Sequence, residues 1–255
     1  MKVAKRREAI LQAVQSGSAD VAALCAKFDI SEATVRRDLQ ALQLDGRLLR
    51  VYGGAVLAPI RHEPEESLEL RKEHDSEGKE AIARKASSFI EPGDTIFIDG
   101  GTTTDAFARH LPKDASVRVI TNNLLALNTL CARGIAVCLI GGELREGSMS
   151  VYGSLADMAL ERLTFDKVFS SADGIDAEFG VCEGSIEQAW FKDKLFRRTR
   201  EVYMLATVEK LGRKTQMNWS PIHRPWNLVT DAAPESHPLL AFKNHPFVTV
   251  IGAHE

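Results

Sequence analysis

Two stretches of this chain hold residue types spaced for chemistry. The first is Ser31-Glu-Ala-Thr-Val-Arg-Arg-Asp-Leu39. Arg36 and Arg37 stand side by side, with the short polar Ser31 and Thr34 just before them. Val35, Leu39 and Leu42 recur at helical spacing. A helix that buries this apolar stripe presents Thr and Arg on its other side, and guanidinium groups match phosphates and guanine edges. The second stretch is Asp99-Gly100-Gly101-Thr102-Thr103-Thr104, set after the β-prone run Thr95–Ile98. Glycines let backbone amides approach a ligand, a helix start supplies free N–H groups, and threonine hydroxyls add donors. That is an anion cradle in type, without the Gly-Lys-Ser/Thr ending of a Walker loop.

The elements around the first stretch are short. Ala4 to Val14 reads as a helix with Ile10, Leu11 and Val14 packing and Lys5, Arg6 and Arg7 solvated. Ser16-Gly17-Ser18 breaks it. Val21 to Lys27 reads as a second helix, and Phe28-Asp29-Ile30 as a turn. Ser31 then caps a third helix that runs to about Leu44 and stops near Gly46, although Thr34 stands where a capping box wants Glu or Gln. Leu48–Val51 and Ala55–Leu57, joined across Tyr52-Gly53-Gly54, signal a hairpin. Three helices with a tight turn before the third, then a hairpin, predict a winged helix-turn-helix whose third helix enters the major groove. Ser31, Thr34, Arg36 and Arg37 are its candidate DNA contacts, with Arg50 and Tyr52 on the wing. The competing reading is a solvated helix face with Arg37 paired to a neighbouring acid.

The pattern Ile30-Ser-Glu-Ala-Thr-Val-Arg-Arg-Asp-Leu39, then Leu42, Gly46 and Leu49-Arg-Val-Tyr-Gly-Gly-Ala55, resembles the DNA-binding module of the DeoR family of bacterial transcriptional regulators.

Charge is divided along the chain. Of 255 residues, 44% are hydrophobic and 26% charged, with a formal net charge of −3, as in an ordinary globular protein. Residues 1–60 hold nine Lys/Arg against six Asp/Glu, and the remainder hold 23 against 29. A basic N-terminal part on an acidic larger part implies that only the first meets phosphodiesters. Pro59 to Glu77 holds seven acids, three bases and two prolines. It reads as an exposed linker passing into a helix from about Ser67 through Phe89, interrupted near Gly78. Cys25, Cys131, Cys138 and Cys182 lack metal-ligand spacing and fall in apolar segments, so buried reduced thiols are expected. No run approaches the ~20 apolar residues of a membrane span. A cytoplasmic setting, with no membrane partner, no metal and no cofactor, is the expectation.

Beyond Thr95, β-rich runs alternate with helical patterns. The runs are Thr95–Ile98, Val117–Thr121, Ala136–Ile140, Lys167–Ser171, Val202–Ala206, Asn227–Thr230 and Phe247–Ile251. The alternation predicts an α/β domain with a mostly parallel sheet, and ligands of such sheets bind outside the carboxyl ends of the strands. Those ends carry Asp99 to Thr104, then Asn122-Asn123, Gly141-Gly142-Glu143-Leu-Arg145, Asp173-Gly174-Ile-Asp176 and Thr207-Val-Glu-Lys210-Leu-Gly212. Each alone is an ordinary tight turn, helix cap or surface lysine. Together they suit a small phosphorylated sugar or polyol: carboxylate and amide for hydroxyls, backbone amides, Thr and Lys210 for phosphate.

Phe97-Ile-Asp-Gly-Gly-Thr-Thr-Thr104, Val119-Ile-Thr-Asn-Asn123, Ile140-Gly-Gly-Glu-Leu-Arg145 and Asp166-Lys-Val-Phe169 with Gly174-Ile-Asp176 extend the resemblance to the family's sensor domain. The resemblance implies a fold similar to ribose-5-phosphate isomerase and CoA-transferase-like proteins, and an effector that is a phosphorylated intermediate of the regulated pathway. The family usually has Asp-Ser-Ser-Lys-Phe-Gly after the fifth strand. Here Thr207-Val-Glu-Lys-Leu-Gly212 keeps Lys210 and Gly212 but puts Thr207 at the Asp position, which leaves two readings: Glu209 substitutes for the carboxylate, or the effector differs from the family's usual one. Lys192 has no role assigned from sequence. His223, Trp219 and Trp226 read as surface or interface residues of a Pro-broken loop.

The expected organisation is α/β: a winged helix-turn-helix over 1–58, a linker over 59–77 and an effector-binding domain over 78–255. The expected function is a sequence-specific transcriptional regulator, a repressor of a carbohydrate or polyol operon, acting on double-stranded operator DNA as a homodimer or homotetramer. It is not expected to be an enzyme. Its effector residues are Asp99, Gly100, Gly101, Thr102, Thr103, Thr104, Asn122, Gly141, Gly142, Arg145, Asp173 and Lys210. The rival reading is a sugar-phosphate isomerase with an appended DNA-binding domain, in which Asp99, Asp173 and Lys210 do acid–base work.

Overall fold

Apolar periodicity resolves into real elements in a computed structural model, which describes residues 3–15, 20–44, 47–51, 54–57, 63–112 and 116–254. The chain divides into two units, Met1–Arg61 and His62–Glu255.

The first unit contains α1 (Val3–Gln15), α2 (Val21–Phe28), α3 (Glu32–Leu44) and an antiparallel hairpin of β1 (Leu48–Val51) and β2 (Gly54–Leu57). Local chemistry sets the helix ends. Asp20 accepts the Ala22 N–H to cap α2, and Asp29, at φ 51°, turns the chain out of it. Ser31 Oγ accepts the Thr34 N–H at 3.4 Å, and the two hydroxyls bond each other at 2.9 Å. This is the forward half of a capping box, with the Thr34 hydroxyl on the Ser31 hydroxyl. Val35, Leu39 and Leu42 pack with Ile10, Leu24 and Leu48 in one core. Arg6 and Arg7 are not simply solvated: their Nε atoms donate to the buried Asp38 at 2.6 and 3.1 Å, pinning α1 to α3. The helix-breaking Ser16-Gly17-Ser18, Gly46, Tyr52 and Gly53 lie outside the described residues.

The second unit opens with α4 (Leu68–Glu73) and α5 (Ser76–Ser87). The expected interruption falls at His74-Asp75, where Asp75 has φ 46° and caps Gly78. Residues 59–62 of the expected linker lie outside the described residues. From Glu63 the chain is tied to the second unit by its N–H on Thr215 O and by ion pairs of Glu65 with Arg71 and Arg145. There follow β3 (Thr95–Ile98), α6 (Thr102–His110), β4 (Arg118–Thr121), α7 (Leu124–Ala132), β5 (Val137–Leu139), β6 (Glu143–Arg145), β7 (Ser150–Tyr152) and α8 (Ser154–Leu160). Then come β8 (Phe165–Ser170), β9 (Gly174–Asp176), β10 (Gly180–Glu183), α9 (Ile186–Arg197), β11 (Thr199–Leu205), β12 (Asn218–Ser220), β13 (Trp226–Thr230), α10 (His237–Lys243) and β14 (Val248–Gly252).

Seven strands form a parallel sheet in the order β14-β13-β11-β8-β3-β4-β5. All seven apolar runs read from the sequence are its strands. One core cluster, with Phe97, Val168 and Phe191, and a second, with Ile98, Phe107 and Phe169, contain residues of adjacent positions on the same strands, as a sheet buried on both faces requires. Trp226 is not a loop residue but starts β13 and is buried. The thiols also depart from expectation: Cys182 is buried, but Cys131 on α7 and Cys138 on the edge strand β5 are exposed. An apolar run near a helix end or sheet edge still has an outer face.

The chain enters the sheet at its centre with β3, winds out to β5, returns to β8 beside β3 and winds the other way. Connections leave β3 and β8 in opposite directions. A crevice opens between their carboxyl ends, the switch point at which doubly wound sheets bind ligands.

The Asp38 anchor is testable. Burial opposes its charge, but the hydrogen bonds from Arg6 and Arg7 outweigh it and hold the carboxyl below the ordinary Asp range. Asp38→Ala should cost about 1–3 kcal/mol, read as lost amide-exchange protection across α1 and α3 in the full chain. Because the folded value is depressed, this stabilisation is complete above about pH 4 and lost as pH falls through the lower folded value. Unchanged protection would show that the contact contributes nothing.

Candidate functional site

The outer face of α3 is the first candidate. At 13 residues the helix is about 20 Å long, enough to lie in a major groove. Arg36 Nε donates to Glu32 at 2.8 Å, and both side chains are more than half exposed. Arg37 is exposed and forms no ion pair among the described residues. The acid-paired arginine is therefore Arg36, not Arg37. Ser31 is exposed and Thr34 half-buried at the start of the helix, on the turn before the arginines. Arg50 lies on β1, in register with Ala55 of β2. Tyr52 lies outside the described residues.

The second candidate is a cavity at the β3/β8 switch point. Gly100, Gly101, Thr102 and Thr103 come from the loop after β3 and the first turn of α6. Ser171 and Asp173 follow β8, Thr207, Glu209 and Lys210 follow β11, and Gln188 and Glu183 come from α9 and the end of β10. Arg71, His74, Asp75 and Lys79 come from α4, α5 and the break between them. Gly101 is conformationally required: it has φ 146°, and a Cβ there would lie 2.1 Å from Ser171 Oγ. It begins α6 with no side-chain cap, so the first N–H groups of that helix have no intrahelical acceptor and face an anion's side of the helix dipole.

Beneath the cavity sits a buried ion cluster. Lys192 Nζ on α9 donates to Asp99 Oδ2, to Ser171 O at 2.6 Å and to Ser170 Oγ at 3.0 Å, and lies 3.2 Å from Glu183 Oε1. Ser170 Oγ donates to Asp99 at 2.6 Å, and the Gly100 N–H donates to the other Asp99 oxygen at 2.7 Å. Burial opposes the charge of Lys192, but Asp99 and Glu183 hold its ammonium above the ordinary lysine range. Burial pushes the Glu183 carboxyl up to about 8, with Lys192 opposing and Asp173 adding to the rise.

Burial lowers Lys79, and the neighbouring Lys210 lowers it further; burial and then Arg213 lower Lys210. Asp173 is raised by burial and by Glu65, against Arg71, 3.7 Å away. Its Oδ2 accepts the Gly184 N–H at 3.0 Å. Lys79, buried and with its ammonium donating to Arg71 O and His74 O, and the half-buried Lys210 stand beside the open end of the helix, and Lys210 disfavours the Lys79 charge.

Of the expected effector residues, the cavity wall brings together Gly100, Gly101, Thr102, Thr103, Asp173 and Lys210. Asp99, Thr104, Asn122, Gly141, Gly142 and Arg145 do not line it. Asp99 is spent on Lys192 and Ser170. The Thr104 hydroxyl donates to Asp99 O at 2.6 Å and to Gly101 O at 3.0 Å. Arg145 is held by Glu65. Gly142 has φ 149° and leaves room for Tyr152 O, 2.2 Å from where a Cβ would stand. Asn122 is fully buried, and neither end of its amide meets a hydrogen-bond partner among the described residues. Arg71, Lys79, Ser171 and Gln188 were not read from the sequence. Lys79 and Gln188 look like ordinary positions of amphipathic helices, and only their burial against polar loops marks them.

A winged helix-turn-helix joined in one chain to a doubly wound α/β unit with a polar switch-point cavity defines a DNA-binding regulator with a sensor domain. Residues 6–60 match the DeoR-like helix-turn-helix domain and residues 74–232 the DeoR C terminal sensor domain. The chain is 31% identical to the glycerol-3-phosphate regulon repressor of Escherichia coli (strain K12), over 96% of this chain and 97% of that protein. It is 32% identical to the lactose phosphotransferase system repressor of Streptococcus mutans, over 91% and 93%. It is 31% identical to the HTH-type transcriptional regulator IolR of Bacillus subtilis, over 90% of each. This protein belongs to the DeoR family of transcriptional regulators. Among solved structures, a ribose 5-phosphate isomerase from Methanocaldococcus jannaschii aligns over 53% of this chain and 54% of that one, with 16% identity and a TM-score of 0.40. No described helix is long and apolar enough to cross a membrane.

The buried cluster predicts a specific stability pattern. Lys192→Met leaves Asp99 and Glu183 without their cation and should cost about 3–5 kcal/mol. Adding Asp99→Asn should recover part of that loss in a denaturant titration. If the double variant is no more stable than Lys192→Met, the ion pair is not what holds the cluster.

Proposed function

We propose that the chain is a repressor of a carbohydrate or polyol catabolic operon, released from or retained on operator DNA by a small phosphorylated sugar or polyol bound at the β3/β8 cavity. The observation that supports it is the convergence of the open start of α6, from Gly101 to Thr103, with the buried Lys79 and the half-buried Lys210. Amide N–H groups, threonine hydroxyls and two ammonium groups match a phosphate, and Asp173 offers a carboxylate oxygen to hydroxyls. The relatives' names, a glycerol-3-phosphate regulon repressor and a lactose phosphotransferase system repressor among them, support the same effector class. A regulatory rather than catalytic role fits the geometry. Asp99, the carboxylate an isomerase would need free, is bound to Lys192 and Ser170.

Binding at this site acts on the start of the sensor unit. Arg71 and Lys79 belong to α4 and α5, the segment that continues N-terminally toward the DNA-binding unit. An effector that draws these side chains onto a phosphate favours one placement of α4 and α5. It shifts operator affinity only by the difference in its affinity for the two arrangements. Operator binding itself rests on Arg36 and Arg37 with Ser31, Thr34, Arg50 and Tyr52. A homodimer or homotetramer supplies the second half-site that one small module needs.

Two measurements test this reading. In a thermal-shift screen of sugar and polyol phosphates, a subset should raise the melting temperature, and Lys210→Ala and Thr103→Ala should each abolish that rise. Absence of any shift with the wild-type protein would send the effector class elsewhere. For DNA, Arg37→Ala should weaken operator binding more than Arg36→Ala, whose guanidinium already has Glu32. A lost base contact costs about 1–3 kcal/mol and relaxes sequence preference; a lost phosphate contact makes the salt dependence shallower by about one counterion. Operator affinity unchanged in both variants would remove α3 from the interface.

A further inference from the structure

The face of α9 that looks onto the cavity carries two polar side chains one helical turn apart, Gln188 and Lys192. Both are buried, at 4% and 1% exposure. Lys192 has four partners: Asp99, Glu183, Ser170 and Ser171 O. Its charge is neutralised within the protein, so it has no demand for a ligand. Gln188 differs. Its backbone N–H is capped by Ser185 Oγ at 3.3 Å, but its side-chain Oε1 is buried without a hydrogen-bond partner among the described residues, and the residue lines the cavity.

A buried amide oxygen left unpaired costs free energy, whereas a leucine at the same helix position would not. The residue is not filling space for the core either. The packing face of α9 is supplied by Phe191, Leu195 and Phe196, all essentially fully buried. Charged groups of the wall have charge-matched tasks: Lys210, with Lys79 beside it on Arg71 O and His74 O, suits an anion, Asp173 has Arg71 and the Gly184 N–H, and Glu183 has Lys192. Gln188 is the one side-chain amide of this wall among the described residues; its other neutral polar groups, Thr102, Thr103, Ser148, Ser171 and Thr207, are short hydroxyls. An amide carries both a donor and an acceptor, as does a hydroxyl, so the two match in either orientation. A phosphate or carboxylate meets only half of that capacity, and an ammonium only the other half.

We propose that Gln188 is a specificity-determining residue of the effector site, reading one hydroxyl group of the carbon chain that carries the phosphate. This rests on the effector reading given above and adds to it the residue that separates one phosphorylated polyol from its deoxygenated counterpart. The phosphate supplies affinity through Lys79, Lys210 and the α6 start; Gln188 supplies selection. Rejecting the analogue follows from the same cost, since a ligand lacking the hydroxyl leaves the amide buried and unpaired.

The experiment is a two-way deletion read by titration calorimetry. Wild type, Gln188→Leu and Gln188→Met are each titrated with the sugar or polyol phosphate that binds wild type most tightly, with its singly deoxygenated analogues and with inorganic phosphate. Ligand-free melting curves check that the variants fold. For wild type, removal of one particular hydroxyl should weaken binding at least tenfold. For both variants that same removal should change binding less than twofold. Inorganic phosphate should bind all three proteins alike. If every deoxygenation weakens the variants as much as the wild type, Gln188 does not read the ligand and the proposal falls, while the effector reading stands. If no phosphorylated compound binds wild type at all, the effector reading fails and the proposal fails with it. Loss of inorganic phosphate binding in the variants would move Gln188 from selection to the anion contact and overturn the proposal as stated.

Discussion

The sensor unit depends on one buried ion pair. Lys192 on α9 reaches Asp99 at the end of β3, while the same ammonium holds Ser170 and Ser171 at the end of β8 and Glu183 at the end of β10. A buried ammonium without partners is penalised by several kcal/mol, so the folded sheet and this contact require each other. The pair fixes the relative height of the β3 and β8 loops. That in turn fixes Gly101 against Ser171 and leaves the start of α6 open toward the crevice. The carboxylate that looks most like a ligand contact is thus the one that builds the site's floor.

Above that floor the electrostatics point the other way. Burial disfavours the charge of both Lys79 and Lys210, and Lys79 is further lowered by its neighbour. Arg71 belongs to the same region but is shared with Glu65 and Asp173. In the proposed function, an effector phosphate would compete with those carboxylates for Arg71 on α4. In a two-state protein this competition is what allows a small ligand to bias a helix position. The DNA-binding unit uses charge differently. Arg6 and Arg7 are consumed in holding α1 to α3 through Asp38, and Arg36 is shared with Glu32, so Arg37 is the exposed α3 arginine without an ion pair among the described residues.

Much of the fold was legible because it rests on short-range periodicity. Val35, Leu39 and Leu42 define one helix face whatever they pack against. The runs from Thr95 to Ile251 that became strands are β-rich, and the central ones, β3 and β8, are buried on both sides as parallel strands between helix layers must be, while the edge strands β5 and β14 keep exposed positions. The start of α3 followed from a single side chain, Ser31. The small ladders of β6 with β7, and of β9, β10 and β12, were not legible. Their strands are three or four residues long and carry too little pattern to separate from loops.

The site divides along the same line. The sequence by itself determined that Gly100-Gly101-Thr102-Thr103, Asp173 and Lys210 stand at strand ends, and that Arg36 and Arg37 stand on a helix surface, because both facts depend only on local element order. Tertiary structure alone decided which of these groups remain available. Asp99 meets a lysine 93 positions away, Arg6 meets Asp38 across 32, and Arg145 meets Glu65 across 80. No local pattern encodes such meetings, because they depend on how layers stack and not on what each layer is. For the same reason Lys79 and Gln188, unmarked on their own helices, became part of the cavity wall only when α5 and α9 closed over the ends of β3 and β8.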